Sequence, residues 1–229
     1  MKATELQHES KVRFLDASLH VIRAKGYSAT RIEDICAAAR LTKGSFFHHF
    51  KGKEDLALAA AGHIAAIADG VFATAPYQRA ADPLDRLLGY VDFRIAILQG
   101  TLPEFTCLLG TMVQEIYDTH PAIRAACDMH ISAHAAAVGK DIAEARRRYA
   151  PDATWSAESL ALFMQSVIQG AFILAKARQG PRVAAECLQH LRRYLETQFT
   201  RTPKKEHERW PPSRKSRRSS GLTATPKRR

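Results

Sequence analysis

The sequence has little of what β-structure and covalent scaffolds need. Only four cysteines are present, and none of them is spaced as C-x-x-C, which argues against a disulfide framework or a zinc site. Residues branched at Cβ are sparse, alanine is abundant, and no segment alternates apolar and polar residues with period two. Because alanine favours helices and strands are enriched in branched residues, we predict an all-α protein in a reducing cytoplasm.

Motifs for catalysis and for membrane insertion are missing as well. The chain contains no G-x-S-x-G, no H-E-x-x-H and no Walker-type phosphate loop, so we predict that it is not an enzyme and carries no cofactor. Its first 18 residues are too polar for a signal peptide. We also expect no apolar run near the ~20 residues that span a bilayer. These absences predict a soluble cytoplasmic protein without a membrane partner.

Charge is abundant but unevenly distributed. The net charge is +11, yet residues 200–229 contain 11 basic and two acidic side chains, which leaves the other residues near neutrality. We predict that this basic tail is disordered, because it is rich in Pro, Ser, Lys and Arg. In the rest of the chain, residues 40–53 contain four basic side chains and no acidic one. The high isoelectric point is therefore mainly a property of the tail, and residues 40–53 form a separate, local basic cluster.

The helical pattern is clearest near the N-terminus. Residues 10–25 carry apolar side chains at three- and four-residue steps, the spacing of one helical face. Gly26 follows and suits a left-handed C-terminal cap. Thr30 and Glu33 form a T-x-x-E pattern, which predicts a capping box at the start of a second helix.

A short third helix is predicted to follow a tight turn, with Thr42 as its N-cap. Phe46 and Phe50 lie four residues apart on one face and can hold this helix from behind. A helix held in this way after a capped helix forms a helix-turn-helix, whose other face enters the major groove of DNA. The residues predicted to contact DNA are Thr30, Arg31, Thr42, Lys43, Gly44, Ser45, Phe47, His48, His49 and Lys53.

The stretch from residue 26 to residue 56 resembles the N-terminal module of the TetR family of transcriptional repressors. The matching positions are Gly26-Tyr27, Thr30, Ile35, Lys43-Gly44-Ser45, Phe47, His49-Phe50 and Lys53-Glu54-Leu56. One position differs, because the family commonly has a tyrosine where this chain has Phe47. A tyrosine hydroxyl could reach a phosphate, whereas Phe47 can only pack against a sugar or a thymine methyl group. The resemblance implies that the protein binds double-stranded operator DNA.

The remaining chain is predicted to be helical throughout, with about nine helices in all and a single helix over "PEFTCLLGTMVQEIYDTH". We divide the chain into a DNA-binding domain at residues 1–62, a helical domain at residues 63–199 and the tail at residues 200–229. The resemblance implies that the helical domain binds a small-molecule inducer and forms a homodimer through the last two long helices. A protein of this kind is a repressor that its inducer releases from a palindromic operator.

The residues that bind the inducer are predicted from weaker signals than the residues that contact DNA. The second half of the chain looks like the NemR-like branch of the family, some of whose members sense electrophiles through a cysteine. Cys107 lies near a predicted helix start, where a thiolate is favoured, but it could equally be a small buried hydrophobic residue. The residues predicted to bind the ligand are Phe93, Cys107, Thr111, Gln114, Phe172 and Lys176.

Two further interpretations stay open from the residues alone. His130 and His134 lie one helical turn apart, a spacing that can bind a metal ion, although two ligands on one face are too few and we predict no metal site. The basic tail could make the protein a non-specific, nucleoid-like DNA binder. A helical enzyme is the least favoured alternative.

Overall fold

The computed structural model describes residues 3–199, with side chains from residue 7, and every regular element in that range is helical. The predictions for the basic tail fall outside the described residues. The N-terminal part is built from α1 (Ala3–Lys25), α2 (Ile32–Ala39), α3 (Lys43–His49) and α4 (Lys53–Ala73). A short 3-10 helix (Pro76–Arg79) precedes α5 (Pro83–Ala96), α6 (Leu102–Phe105), α7 (Leu108–Ile116), α8 (Pro121–Tyr149), α9 (Ala157–Arg178) and α10 (Arg182–Gln198).

The described residues form ten α-helices where about nine were predicted, because one predicted helix is two. α6 ends at Thr106, whose backbone is extended, and α7 begins after Cys107, which is extended too. The Cys107 thiol accepts a hydrogen bond from the Gly110 amide at 3.4 Å and so caps α7. Cysteine is an unusual N-cap, which is why the sequence did not signal a second helix start.

The start of α2 differs from its prediction. Its N-cap is Arg31, whose backbone amide donates to the Asp34 carboxylate at 3.0 Å. The predicted capping pair of Thr30 and Glu33 is therefore wrong by one residue. Gly26 does adopt the left-handed conformation, with φ of +87°. A side chain at Gly26 would also collide with the Glu115 carboxylate, 2.1 Å from where its Cβ would lie.

Two hydrophobic cores hold the helices together. The N-terminal core contains side chains of α1 to α4 and also of α7 and the beginning of α8, among them Met112 and Ile123. The C-terminal core contains side chains of α5, the rest of α8, α9 and α10. The proposed boundary after residue 62 falls inside α4, which runs through it without a break. The two parts of the chain therefore share the continuous helix α4.

Two helices, α4 and α9, are long and apolar enough to cross a membrane by length and composition. This corrects the expectation that no apolar run would approach that length. Both helices contribute buried residues to the cores, such as Leu56 and Ala60 of α4 and Met164 and Ile168 of α9. Their composition therefore fits core helices of a soluble protein.

Candidate DNA interface and adjoining cavities

The short helix α3 is fixed by aromatic side chains on its inner face. Phe46 is fully buried and packs edge-on against Phe14 of α1, with ring centroids 5.5 Å apart. Phe50, just after the helix, packs against the same ring at 6.2 Å. The Thr42 hydroxyl accepts a hydrogen bond from the Ser45 amide at 3.1 Å, as an N-cap should. With only seven residues, α3 depends on this packing for its stability.

The outer face of α3 is exposed and apolar at its centre. Phe47 is 51% exposed, so its ring is free to contact a partner of this surface. The Gly44 backbone is exposed, and a Cβ added there would meet only the Thr42 hydroxyl at 3.8 Å. We call the exposed residues of this surface the recognition face; they are Arg31, Thr42, Lys43, Gly44, Phe47 and His48.

Lys43 is paired within the protein when DNA is absent. Its ammonium group lies 2.7 Å from the Glu33 carboxylate, and both side chains are largely exposed. The hydrogen bond and charge of Glu33 raise the pKa of Lys43 above its usual range. Because exposed ion pairs are weak, a DNA phosphate can replace Glu33 at little cost.

Three residues predicted to contact DNA use their side chains elsewhere. The Thr30 hydroxyl is buried and donates to the Gly26 carbonyl at 2.6 Å. His49 is partly buried against α1, where its Nε2 lies 2.7 Å from the Ser10 hydroxyl. The Lys53 ammonium donates to the carbonyls of Tyr27 and Thr30, each at 3.0 Å. These side chains stabilise the module from within instead of facing outward.

A second candidate site, the Lys176 cavity, lies where α7 faces α9. It has a volume of about 160 Å³ and brings together Thr106, Cys107, Thr111, Gln114, Glu115, Gln169, Phe172, Ile173 and Lys176. Five of the six residues predicted to bind a ligand are among them. The exception is Phe93, whose ring instead packs against Phe72 at 5.6 Å and Tyr77 at 6.0 Å, outside this cavity. That prediction is corrected: α5 turns Phe93 toward other aromatic rings.

The polar groups of the Lys176 cavity are linked in a chain. The Lys176 ammonium donates to the Thr111 hydroxyl at 2.7 Å, and this hydroxyl donates to the Cys107 carbonyl at 2.9 Å. Burial lowers the pKa of Lys176, a shift that the charge of Glu115 partly opposes. The Cys107 side chain is only partly buried, so its thiol lies at the edge of the space that a ligand would fill.

An adjoining space, the Arg94 cavity, has a volume of about 190 Å³ and shares Thr106, Cys107, Gln169 and Phe172 with the first. Several of its polar residues were not predicted to bind a ligand. They include Arg23, Arg94, His134 and Gln165, which lie on four different helices. Gln165 could have been noticed, because it interrupts a stripe of apolar residues on α9.

Two family models match this chain. Residues 14–60 match the model described as bacterial regulatory proteins, tetR family. Residues 83–191 match the model described as a tetracyclin repressor-like C-terminal domain. The chain belongs to the TetR family. Its members are transcriptional regulators that bind DNA, and both halves of this chain are matched in the order that such regulators have.

Similar proteins of known name agree with this assignment over part of their length. The transcriptional regulator AcuR of Cereibacter sphaeroides is 44% identical over 54 residues, 24% of this chain and 23% of that protein. The HTH-type transcriptional repressor DhaR of Mycobacterium sp. (strain GP1) is 26% identical over 110 residues, 48% of this chain and 54% of that protein. This chain thus spans about half, or less, of the length of these relatives.

Solved TetR-family structures extend the likeness over both cores. A regulatory protein TetR from Rhodobacter sphaeroides superposes with a TM-score of 0.72 and 25% identity, covering 85% of this chain and all of that one. The reduced form of NemR from E. coli gives a TM-score of 0.71 over 84% of this chain and 98% of that one. Because its identity is only 18%, NemR shows a shared fold and no shared ligand.

In this TetR-family chain, a hydrogen bond from the turn after α1 joins the DNA-binding module to the Lys176 cavity. Glu115 of α7 lines the Lys176 cavity, and its carboxylate accepts a hydrogen bond from the Ser28 amide at 3.0 Å. Ser28 belongs to the turn between α1 and α2, whose carbonyls Lys53 also binds. A shift of α7 would therefore reach the module directly.

His134, one of the two histidines on α8, bonds to other side chains in a way that does not suit a metal ion. The Nε2 atom of His134 lies 2.9 Å from an Arg94 guanidinium nitrogen and 3.0 Å from the Tyr90 hydroxyl. Burial and the charge of Arg94 lower the pKa of His134 to about 4. The ring is therefore neutral near pH 7, and its Nε2 accepts from a cation. No cluster of three metal-binding side chains occurs within residues 3–199.

Proposed function

We propose that this protein is a ligand-responsive transcriptional repressor that binds a near-palindromic operator as a homodimer. The position of α7 is the observation that supports this most strongly. One face of α7 packs into the N-terminal core through Leu108, Met112 and Ile116. The adjoining side of the same helix supplies Thr111 and Glu115 to the Lys176 cavity. A ligand that moves α7 would therefore shift the population of the DNA-binding module between two arrangements.

DNA is proposed to meet the recognition face. α3 would enter the major groove, with Phe47 at base edges or sugars and Lys43 on a phosphate. In a dimer the two copies of α3 would bind half-sites about 34–36 Å apart, one turn of the duplex. The backbone of Gly44 would lie closest to the DNA, because no side chain stands between them.

The homodimer is proposed to form through α9 and α10. Several large apolar side chains of these helices stay exposed, including Phe163, Leu174 and Tyr194. The Phe163 and Tyr194 rings pack together at 5.0 Å and join the two helices into one apolar surface. Other predicted positions on the same helices, such as Leu160 and Leu191, are buried in the C-terminal core. Exposed apolar patches of this kind mark protein interfaces.

The inducer is proposed to occupy the two joined cavities. Cys107 borders both of them, and it is partly exposed, whereas Cys36 and Cys127 are buried. Burial also raises the pKa of Cys127 to about 12, so that thiol is unreactive. An electrophile that enters the cavities would meet Cys107 first, with Lys176 nearby. A neutral, non-covalent inducer would use the same space without needing the thiol.

The experiment begins with selection of duplex DNA from a random pool by the purified full-length protein. We expect a near-palindromic site, and we expect Lys43→Ala to weaken binding to it about tenfold and to reduce the salt dependence by about one phosphate contact. Lys140→Ala, an exposed lysine of α8, is the matched control. Unchanged affinity and salt slope in Lys43→Ala would refute this docking.

Two further arms test the alternatives. Release of the selected DNA by quinones and aldehydes is compared between wild type and Cys107→Ser, and equal release would remove Cys107 as the sensor. A chain without residues 200–229 should keep its specific site. If that truncation instead loses most of its DNA affinity, the protein is a tail-driven, non-specific binder.

A further inference from the structure

The Arg94 cavity is lined by two arginine side chains. Arg23 of α1 and Arg94 of α5 both line it, and neither forms an ion pair with any carboxylate among the described residues. Asp69 and Glu104 also border the cavity, but both are exposed to solvent. Charged groups in protein interiors are normally paired, so two unpaired guanidinium groups in one cavity call for an anionic partner.

Arg23 has hydrogen-bonding capacity to spare. One terminal nitrogen of its guanidinium donates to the Pro103 carbonyl at 2.5 Å and more weakly to the Glu104 carbonyl at 3.3 Å. Its Nε atom is buried and has no hydrogen-bond partner. A buried N–H without a partner carries a free-energy cost that a ligand acceptor would remove. The bonds to α6 hold the guanidinium in place for such a ligand.

Gln165 is another polar group of the same cavity. The residue is only 7% exposed, and it lines the cavity wall. Its neighbours along the inner face of α9 are apolar, including Met164 and Ile168. Its amide group can donate hydrogen bonds to a ligand carboxylate, which the apolar neighbours cannot do.

Arg94 keeps its positive charge although its nitrogens are hydrogen-bonded. They donate to the neutral groups His134 and Tyr90, at 2.9 and 3.0 Å. The guanidinium also stacks on the Phe72 ring, with its central carbon 4.4 Å from the ring centroid. These partners fix the arginine without cancelling its field, so Arg94 favours an anion anywhere in the cavity.

The walls and the volume limit the size of the ligand. Phe72, Phe105, Ile168 and Phe172 supply apolar surface. The volume of about 190 Å³ slightly exceeds the roughly 150 Å³ of an apolar protein cavity that holds benzene. One ring or a short aliphatic chain fits this space together with one polar head group.

We propose that the Arg94 cavity binds a small monocarboxylate, whose carboxylate pairs with Arg23 and Gln165 and whose apolar body packs against the phenylalanine walls. The inference rests on the proposed function in treating this cavity as the inducer site. It narrows the inducer to organic acids of about ten non-hydrogen atoms or fewer. Arg23 belongs to α1, so the carboxylate would touch the DNA-binding module itself.

Calorimetric titration of the full-length protein without DNA tests the charge requirement. Benzoate and butyrate are compared with benzamide and butyramide, which have nearly the same shape and no charge. We expect at least one acid to bind with a Kd of about 1 mM or below, an affinity that so small a ligand can reach. The corresponding amide should bind at least about tenfold more weakly. Equal binding of acid and amide, or no binding of either acid at 10 mM, a concentration about tenfold higher, would overturn the proposal.

Variants then locate the carboxylate. Arg23→Gln should weaken binding of the acid by about tenfold or more, and Gln165→Leu by a smaller factor, because a hydrogen bond to a charged group is worth that much. Arg178→Gln, at an exposed arginine of α9, removes the same charge outside the cavity and should bind the acid normally. Since Arg23 also supports α6, Gln165→Leu keeps the test valid if Arg23→Gln does not fold. Normal acid binding by Gln165→Leu and by any folded Arg23→Gln would contradict the assignment.

DNA release separates this inference from the proposed function. If amides release the selected operator as well as acids do, the protein is still a ligand-responsive repressor and the carboxylate assignment fails. If acids bind in calorimetry but do not release DNA, the carboxylate site stands and its role as the inducer site fails.

Discussion

The recognition face and the two cavities are built in opposite ways. The recognition face comes almost entirely from residues 42–48, one short stretch whose caps and aromatic residues set its orientation. The Arg94 cavity draws its lining from seven helices, α1 and α4 to α9. A surface that is specified locally can vary only within narrow limits, whereas a cavity specified by distant helices can change its ligand through one substitution. The DNA-binding module is thus recognisable across the family, and the ligand is not.

The strongest test of local specification is the buried side of α3. Phe46→Ala removes a fully buried ring that packs on Phe14, and we expect it to destabilise the protein by about 3–5 kcal/mol. Urea denaturation followed by circular dichroism measures this loss.

Phe47→Ala is the matched control one residue away. Its ring is 51% exposed, so stability should change by less than about 1 kcal/mol while operator binding weakens. If Phe47→Ala destabilised the protein as much as Phe46→Ala, the recognition face would be part of the core and the comparison would fail.

The contrast between local and distant specification also explains which features could be predicted from the sequence. The all-α fold, the Thr42 cap, the inward Phe46 and the outward Phe47 follow from periodicity and capping chemistry within a few residues. Thr30 and Lys53 were predicted to contact DNA because hydroxyls and lysines commonly bind phosphates. Only the fold shows that nearby carbonyls already bind both groups. Local patterns specify which way a helix faces, but not which polar groups the rest of the chain has already satisfied.

The cavity residues could be predicted from the sequence only where they lie close together along the chain. Cys107, Thr111 and Gln114 were predicted together because they lie three or four residues apart in one predicted helix, although Cys107 is the N-cap of α7. Arg23 and Arg94 were missed because their meeting depends on how α1 and α5 pack, which no short spacing encodes. The split between α6 and α7 was missed as well, since a cysteine cap gives almost no sequence signal.

His134, which lines the Arg94 cavity, should make the stability of the protein depend on pH. The pKa of His134 is lowered to about 4, against about 6.5 in an unfolded chain. Between these values the unfolded chain binds the proton and the folded protein does not, so stability falls as pH decreases from 6.5 toward 4. We expect a contribution of about 3 kcal/mol, fully present above pH 6.5 and lost near pH 4.

His134→Gln should lack this part of the pH dependence, since an amide oxygen can still accept from Arg94 and does not titrate. Thermal unfolding at half-unit pH steps compares it with wild type and with His190→Gln, an exposed histidine of α10. A steep decline between pH 6.5 and 4.5 in His134→Gln would show that other groups cause it.

A smaller effect is expected where the two regions meet. Glu115→Gln keeps an acceptor for the Ser28 amide but removes the charge that acts on both Lys53 and Lys176. We expect stability to change by less than about 1 kcal/mol. The concentration of inducer needed to release operator should shift by a few fold, because this carboxylate links α7 to the module.

Glu186→Gln, at an exposed ion pair on α10, is the control for charge alone. If Glu115→Gln and Glu186→Gln give the same release curve, the coupling runs through the apolar interface of α7 and not through Glu115.

The smallest effects come from a matched pair of helix caps, one in each region. Arg40 and Gln179 end α2 and α9 in the left-handed conformation, with φ of 54° and 53°. Glycine adopts that conformation without strain, but it also gives the unfolded chain more freedom, so each change to glycine should stabilise the protein by only about 0.5 kcal/mol.

Arg40→Gly also removes an exposed cation from the turn before α3, and we expect weaker operator binding with a salt slope smaller by about one. Gln179→Gly should leave operator binding unchanged, because Gln179 is not part of the recognition face. Chemical denaturation measures the stability of both variants, and DNA titration measures their affinity for the operator. Equal gains in stability with a loss of affinity only in Arg40→Gly would support the contrast between the two regions. Equal losses of affinity would show that the cap of α9 also contributes to DNA binding.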